Sequence, residues 1–242
     1  MRYYNNHGKR HRLAAIVHTL DTKKVLQTIV RLEQRINERF PDSGLEQVCT
    51  DFLGIAERTQ NRIQWIEKPN LWLRWGIAAV ILAGLTFFVY SLSLLELRVR
   101  LPDLAESIQI LEALLNDVIL IGAAVFFLIT IEARIKRART LQALHELRGM
   151  AHVVDMHQLT KDPAVIVNDN PTNSSPTRNL TAFQLKRYLD YCSELLSLIG
   201  KMAALYSQRL PDPQIVTAAS EVEALCTSLS RKIWQKIVMI DA

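Results

Sequence analysis

Cysteine is scarce: three in 242 residues, at positions 49, 192 and 226. None belongs to a C-x-x-C pair, which leaves neither a disulfide framework nor a cysteine zinc site. All three fall in segments read as cytoplasmic helix, where thiols stay reduced and act as small core residues. The eight glycines are scattered. No G-x-G-x-x-G or G-x-S-x-G forms around them, and Gly8-Lys9 lacks the rest of a phosphate loop. The common dinucleotide, serine-hydrolase and nucleotide-loop chemistries are therefore not written here. Aromatic residues make up 7% of the chain and do not interleave with basic ones, which argues against a single-stranded nucleic-acid platform. No secretory leader is read either, because the apolar patch Leu13–Val17 is too short and polar helix follows it.

Charge is missing in two places. Trp75 to Leu95 carries no charged residue, and neither does Val118 to Ile131. At 1.5 Å per residue the first run matches the ~30 Å hydrocarbon core of a bilayer. Trp72, Trp75 and Tyr90 near its ends are residue types favoured at the membrane–water interface. The second run is shorter, dense in Val, Ile, Leu and Phe, and extends back to Leu114. The expectation is a two-span transmembrane hairpin over 71–131, with spans at about 72–95 and 114–131 and an external loop at 96–113. Arg134, Lys136, Arg137 and Arg139 follow the second span, and Arg58, Arg62 and Lys68 precede the first. The loop offers only Arg98 and Arg100, beside Glu96, Asp103, Glu106 and Glu112. This bias orients both termini to the cytoplasm, in an inner or plasma membrane. Gly76, Ala79, Ala83, Gly84 and Gly122 are small enough to let the two helices approach closely. The net charge of +5 suits an anionic lipid surface and is no argument for nucleic acid.

What remains is amphipathic helix and polar linker. Residues 1–20 form a basic tail. Residues 21–70 read as a helical hairpin: Asp21 caps a helix with Val25, Ile29, Leu32 and Ile36 on one face. Pro41-Asp42-Ser43-Gly44 turns the chain, and Leu45, Val48, Phe52, Ala56, Thr59, Ile63 and Ile66 line the return. Beyond the hairpin, 132–159 continues the second span into the cytosol without a strong breaker. Gly122 and Gly149 are its expected bend points. Residues 160–180 are a Pro-, Asn- and Ser-rich linker, in which Ala164–Val167 could pair as a short strand. A second helical hairpin occupies 181–242, opened by the capping box Thr181-x-x-Gln184 and turned at Pro211-Asp212-Pro213. Its stripes are Leu185, Leu189, Cys192, Leu196, Ile199, Ala203 and Tyr206, then Ile215, Val222, Leu225, Leu229, Ile233, Ile237 and Ile240. Such sustained three–four spacing suits helix pairing or a short coiled coil.

The segment 145–157 is the place where chemistry could reside. At 100° per residue His145, Arg148, His152 and Asp155 share about one quarter of a helix circumference. They are the candidate ligand-binding stripe. His152 and Asp155, three residues apart, could meet as an acid–base pair. His145, His152 and Asp155 could begin a metal shell, which Glu194 or Glu221 would have to complete from another helix. No complete catalytic or metal motif is present and no cofactor is implied.

These features lead to an all-α membrane protein, in which N- and C-terminal helical hairpins form one cytoplasmic bundle on a transmembrane hairpin. The expected role is binding or assembly. The bundle would receive a protein or small-molecule signal and pass it to the bilayer-embedded hairpin, within a homo-oligomer. The alternatives are a pore-forming effector and a membrane-bound enzyme or metal-binding protein using His145, His152 and Asp155. In architecture alone, with no shared residue motif, the pore reading resembles the two-transmembrane effector domains of bacterial nucleotide-signalling defence systems.

Overall fold

A computed structural model of the chain describes residues 19–67, 71–96, 104–161, 163 and 180–241. Among the described residues there are six helices and no strand: α1 (Thr22–Arg39), α2 (Gly44–Glu67), α3 (Leu71–Glu96), α4 (Leu104–Leu159), α5 (Ala182–Arg209) and α6 (Pro213–Asp241). The basic tail up to residue 18, the loop cations Arg98 and Arg100, and the Ala164–Val167 strand lie outside them.

Local chemistry sets the helix ends. The Asp21 carboxylate accepts from the Lys23 N–H at 2.9 Å, satisfying one of the first orphan donors of α1. Asp42 turns the chain with a left-handed φ of 54°, a conformation that aspartate tolerates better than most residues. The Ser43 hydroxyl then accepts from the Glu46 N–H at 3.2 Å and opens α2. At α5 both halves of the Thr181–Gln184 capping box form. Asp212 caps α6 through the Gln214 N–H at 3.0 Å.

The core lies among α1, α2, the second half of α4, α5 and α6. Its centre is α5. Beyond the expected stripe, Tyr188, Tyr191, Leu195, Leu198, Met202 and Leu205 are buried as well. A helix apolar on so much of its circumference needs neighbours on most sides, and α5 packs against α1, α2, α4 and α6. The bundle therefore has two ends. At one, His157 of α4 lies against the Gly44 Cα, where an added Cβ would come within 2.5 Å of its ring. There too Lys236 of α6 donates to the Gln158 and Lys161 carbonyls at 2.8 and 3.3 Å, a cation placed at a helix C-terminus. At the other end meet the start of α1, the end of α2 and the bend between α5 and α6. The Leu20 N–H donates to Gln208 Oε1 at 3.2 Å there.

The apolar helices leave from this second end. α4 runs unbroken for 56 residues, roughly 84 Å, with no interruption at Gly122 or Gly149. It contains a stretch long and apolar enough to cross a membrane, and no residue of that stretch is buried. In α3 the apolar part is shorter, Trp75–Tyr90. The two helices pack on each other. Seven residues separate them, about 25 Å of extended chain, too little to return a parallel partner, so they run antiparallel.

All three cysteines are buried in the bundle. Burial pushes the Cys49 thiol up to about 12, with Glu33 and Glu46 adding to it. Burial likewise lifts Cys192 to about 12 and Cys226 to about 11. Thiolate, the reactive form, is then about a hundredfold or more scarcer than in an ordinary cysteine of pKa ~8.5. Iodoacetamide at pH 8 is expected to leave the folded chain unlabelled while fully alkylating the chain in urea. Rapid labelling of the folded protein at any of the three would contradict this packing.

Candidate functional site

The 145–157 stripe lies on the second half of α4, with its bundle face formed by Leu144, Leu147, Ala151 and Val154. His145, Arg148 and His152 are exposed, and Asp155 is half-buried. Arg148 pairs with Glu221 of α6 at 3.6 Å. The Asp155 carboxylate accepts from Gln158 Nε2 at 2.7 Å. Among the described residues no hydrogen bond joins His152 to Asp155, and no group of three His, Cys, Asp or Glu side chains could hold a metal ion. Glu194, the other distant carboxylate considered, forms an ion pair with Arg35 of α1. The arrangement reads as a polar outer face with its charges compensated by neighbours.

The small residues of the apolar pair differ among themselves. A Cβ at Gly84 would lie 2.5 Å from Ile121 Cδ1, so Gly84 marks a close approach of α3 to α4. At Gly76 and Gly122 an added Cβ meets no described atom within 4 Å. Ala79 and Ala83 are exposed. Leu71 is as far from Gly84 along α3 as Arg134 is from Ile121 along α4. In an antiparallel pair they stand at one level, with the exposed Trp72 and Trp75 beside them.

Just beyond that level, α4 enters the bundle through a run of charged contacts. Lys136 pairs with Glu132 at 2.9 Å. Arg137 grips Asp212 at the α5–α6 bend, with Nε and Nη2 at 2.8 and 2.6 Å from Oδ2. Desolvation would raise the Asp212 carboxyl, but hydrogen bonds from Arg137 and the Gln214 N–H hold it below its ordinary value. Arg139 lies over the Trp65 ring, 4.6 Å from its centroid. Arg134 is exposed. Thus, of the four cations that the sequence marks for orientation, Arg137 and Arg139 also contact other elements of the bundle.

Between α2, α4 and α5 these contacts frame a cavity of about 390 Å³, lined by Asn61, Arg62, Trp65, Arg139, Gln142 and Tyr206, with buried Thr140 at its wall. The Arg62 guanidinium forks onto Glu146 at 2.9 and 3.3 Å. That hydrogen bonding outweighs burial and holds Arg62 more firmly protonated. Burial raises the Tyr206 hydroxyl above its ordinary value. It remains a neutral donor to Thr59 Oγ1 at 3.1 Å, and Thr59 in turn donates to the Ile55 carbonyl at 2.8 Å. Trp65, Tyr206 and the Arg62–Glu146 pair have no local signal in the sequence as a site. Their partners stand 84 and 147 positions away, and only the helix packing brings them together.

A comparison with protein-family models, curated proteins and solved structures finds no match to this chain.

Proposed function

We propose that the protein is a membrane-anchored helical binding or assembly protein, whose cytoplasmic bundle is coupled to a transmembrane hairpin made by α3 and α4. The observation that carries this reading is the continuity of α4. One helix holds an apolar stretch with no buried residue and, without a break, the core residues Leu144, Leu147, Ala151 and Val154. Val118, Ile119, Leu120, Phe126, Phe127 and Ile129 are exposed large apolar side chains on that stretch. Patches this extensive are not left to water in a soluble monomer. Lipid supplies the missing cover.

The pairing of α3 with α4 at Gly84 and Ile121 supports taking α3 across the bilayer with its partner. Arg134, Lys136, Arg137 and Arg139 cluster where α4 meets the bundle, which favours bundle and termini on the cytoplasmic side. Assembly as a homo-oligomer would pack the remaining apolar flanks of the helices. A protein or small-molecule signal bound by the bundle would then reach the hairpin through α4.

The test uses the intact chain with a reporter fused after Ala242. The protein is expected in the membrane fraction, resistant to alkaline carbonate and released by detergent, with a reporter active only in the cytoplasm. Release by carbonate alone would sink the anchoring. A reporter active only outside would reverse the orientation.

A further inference from the structure

The cavity at the bundle's membrane-facing end has a composition that the anchoring role leaves unused. Two guanidinium groups line it, and their compensation is unequal. Arg62 is spoken for by Glu146. Arg139 is exposed and, among the described residues, has the Trp65 ring as its partner and no carboxylate within ion-pair distance. A guanidinium held over a ring face spends none of its N–H donors on a carboxylate, and its fork can meet carboxylate or phosphate oxygens two at a time. Asn61 and Gln142 add neutral amide donors, and Tyr206 and Thr140 close the inner wall. The volume of about 390 Å³ lies in the range of small-molecule sites.

Position narrows the ligand. Arg139 follows the end of the apolar run at Ile131 by eight residues, about 12 Å of helix. The headgroup layer of one leaflet is roughly 5–8 Å thick, and an arginine stem can reach several ångströms toward it. Trp65 lies on α2, six residues before α3 begins at Leu71. Arg139 thus lies just beyond the headgroup layer, within an arginine stem's reach of its phosphate groups. A cationic ligand is opposed by the excess arginine charge.

We propose that this cavity is a phosphate-binding site, in which Arg139, oriented by Trp65, holds the phosphate group of an anionic lipid. The lipid source rests on the membrane-anchored reading. The phosphate chemistry rests on the cavity, and a soluble phosphate ester is its other source.

The experiment follows the thermal unfolding midpoint of the full chain in neutral detergent, titrated separately with phosphatidylglycerol, phosphatidylcholine and sodium pyrophosphate. A ligand that binds the folded state alone raises the midpoint. Phosphatidylglycerol is expected to do so, with half-maximal effect at a concentration at least about tenfold higher in Arg139→Gln, a loss in keeping with one charge-assisted hydrogen-bond pair. Arg58→Gln removes the same charge from an exposed position on α2 outside the cavity and should leave the titration unchanged. Should Arg139→Gln lower the unliganded midpoint, Arg139→Lys, which keeps the charge but lacks the fork, is read against its own baseline. An Arg139-dependent response to pyrophosphate with none to lipid assigns the site to a soluble phosphate ester. Equal losses in the Arg58 and Arg139 variants, or no Arg139-dependent response to either probe, overturn the proposal. Failure of the anchoring would appear separately, as a chain that stays in solution without detergent, and the pyrophosphate titration would remain readable.

Discussion

Replacing Leu195 by alanine should destabilise the bundle by about 2–5 kcal/mol, the cost of a fully buried leucine whose cavity cannot collapse. Leu195 is 0% exposed and sits on α5, the helix with neighbours on four sides. Each neighbour is held by its own packing, so relaxation into the space is limited and the upper part of the range applies. For a chain of this length each kcal/mol moves the midpoint by roughly 2–4 °C, so a fall of about 7–20 °C is expected. Circular dichroism of the intact chain in detergent, heated with and without the substitution, reads it directly. A change below about 1 °C would mean that α5 is peripheral and the bundle is assembled differently.

The second large effect concerns the apolar stretch of α4. Leu120 is 67% exposed. On an ordinary solvated surface Leu120→Arg would alter stability by no more than about 0.5 kcal/mol. In the middle of a bilayer, leucine contributes roughly −0.3 to −0.6 kcal/mol to insertion and arginine opposes it by about 2.5–3.5. The swing of about 3–4 kcal/mol corresponds to several hundredfold in the insertion equilibrium. The carbonate-resistant fraction is therefore expected to fall sharply in this variant, while Leu120→Ile leaves it intact. Leu85 on α3, 59% exposed, makes the same test of the other helix. A penalty at both positions supports two crossings, a penalty at Leu120 alone reduces the hairpin to one, and silence at both rejects the membrane reading.

The cap at Asp21, the turn at Asp42, the capping box at Thr181 and the Asp212–Pro213 restart were legible because each acts within four residues of itself. The stripes of α1, α2 and α6 were legible as periodicity. The centrality of α5 was less so: Tyr188 and Tyr191 fill positions that a single-face stripe leaves to the outside, and helical period alone does not count neighbours. Among the small residues, composition could not tell Gly84, which meets Ile121, from Gly76 and Gly122, because the choice depends on how two helices are rotated about their axes. The His145–Asp155 stripe follows from helical period, but period does not say that Arg148 has Glu221 and Asp155 has Gln158. The cavity residues were invisible as a set for the same reason. Arg139 and Trp65 are linked by the approach of two helices, and nothing near either one announces the other.

The unbroken course of α4 also fixes an angular relation. Ile121, the residue facing Gly84, and Leu147, buried in the bundle, are separated by a number of turns that leaves them about 80° apart around the axis. With no flexible joint between them, twisting the helix in its bundle seat twists the flank offered to α3 by the same amount. A message travelling this way needs torsion and no axial stroke. It also makes the intervening stretch sensitive to phase: one added residue would rotate the two seats by about 100° relative to each other, whereas seven would rotate them by only about 20°. Length in this segment is constrained in the way the teeth of meshed gears are, by angle before distance.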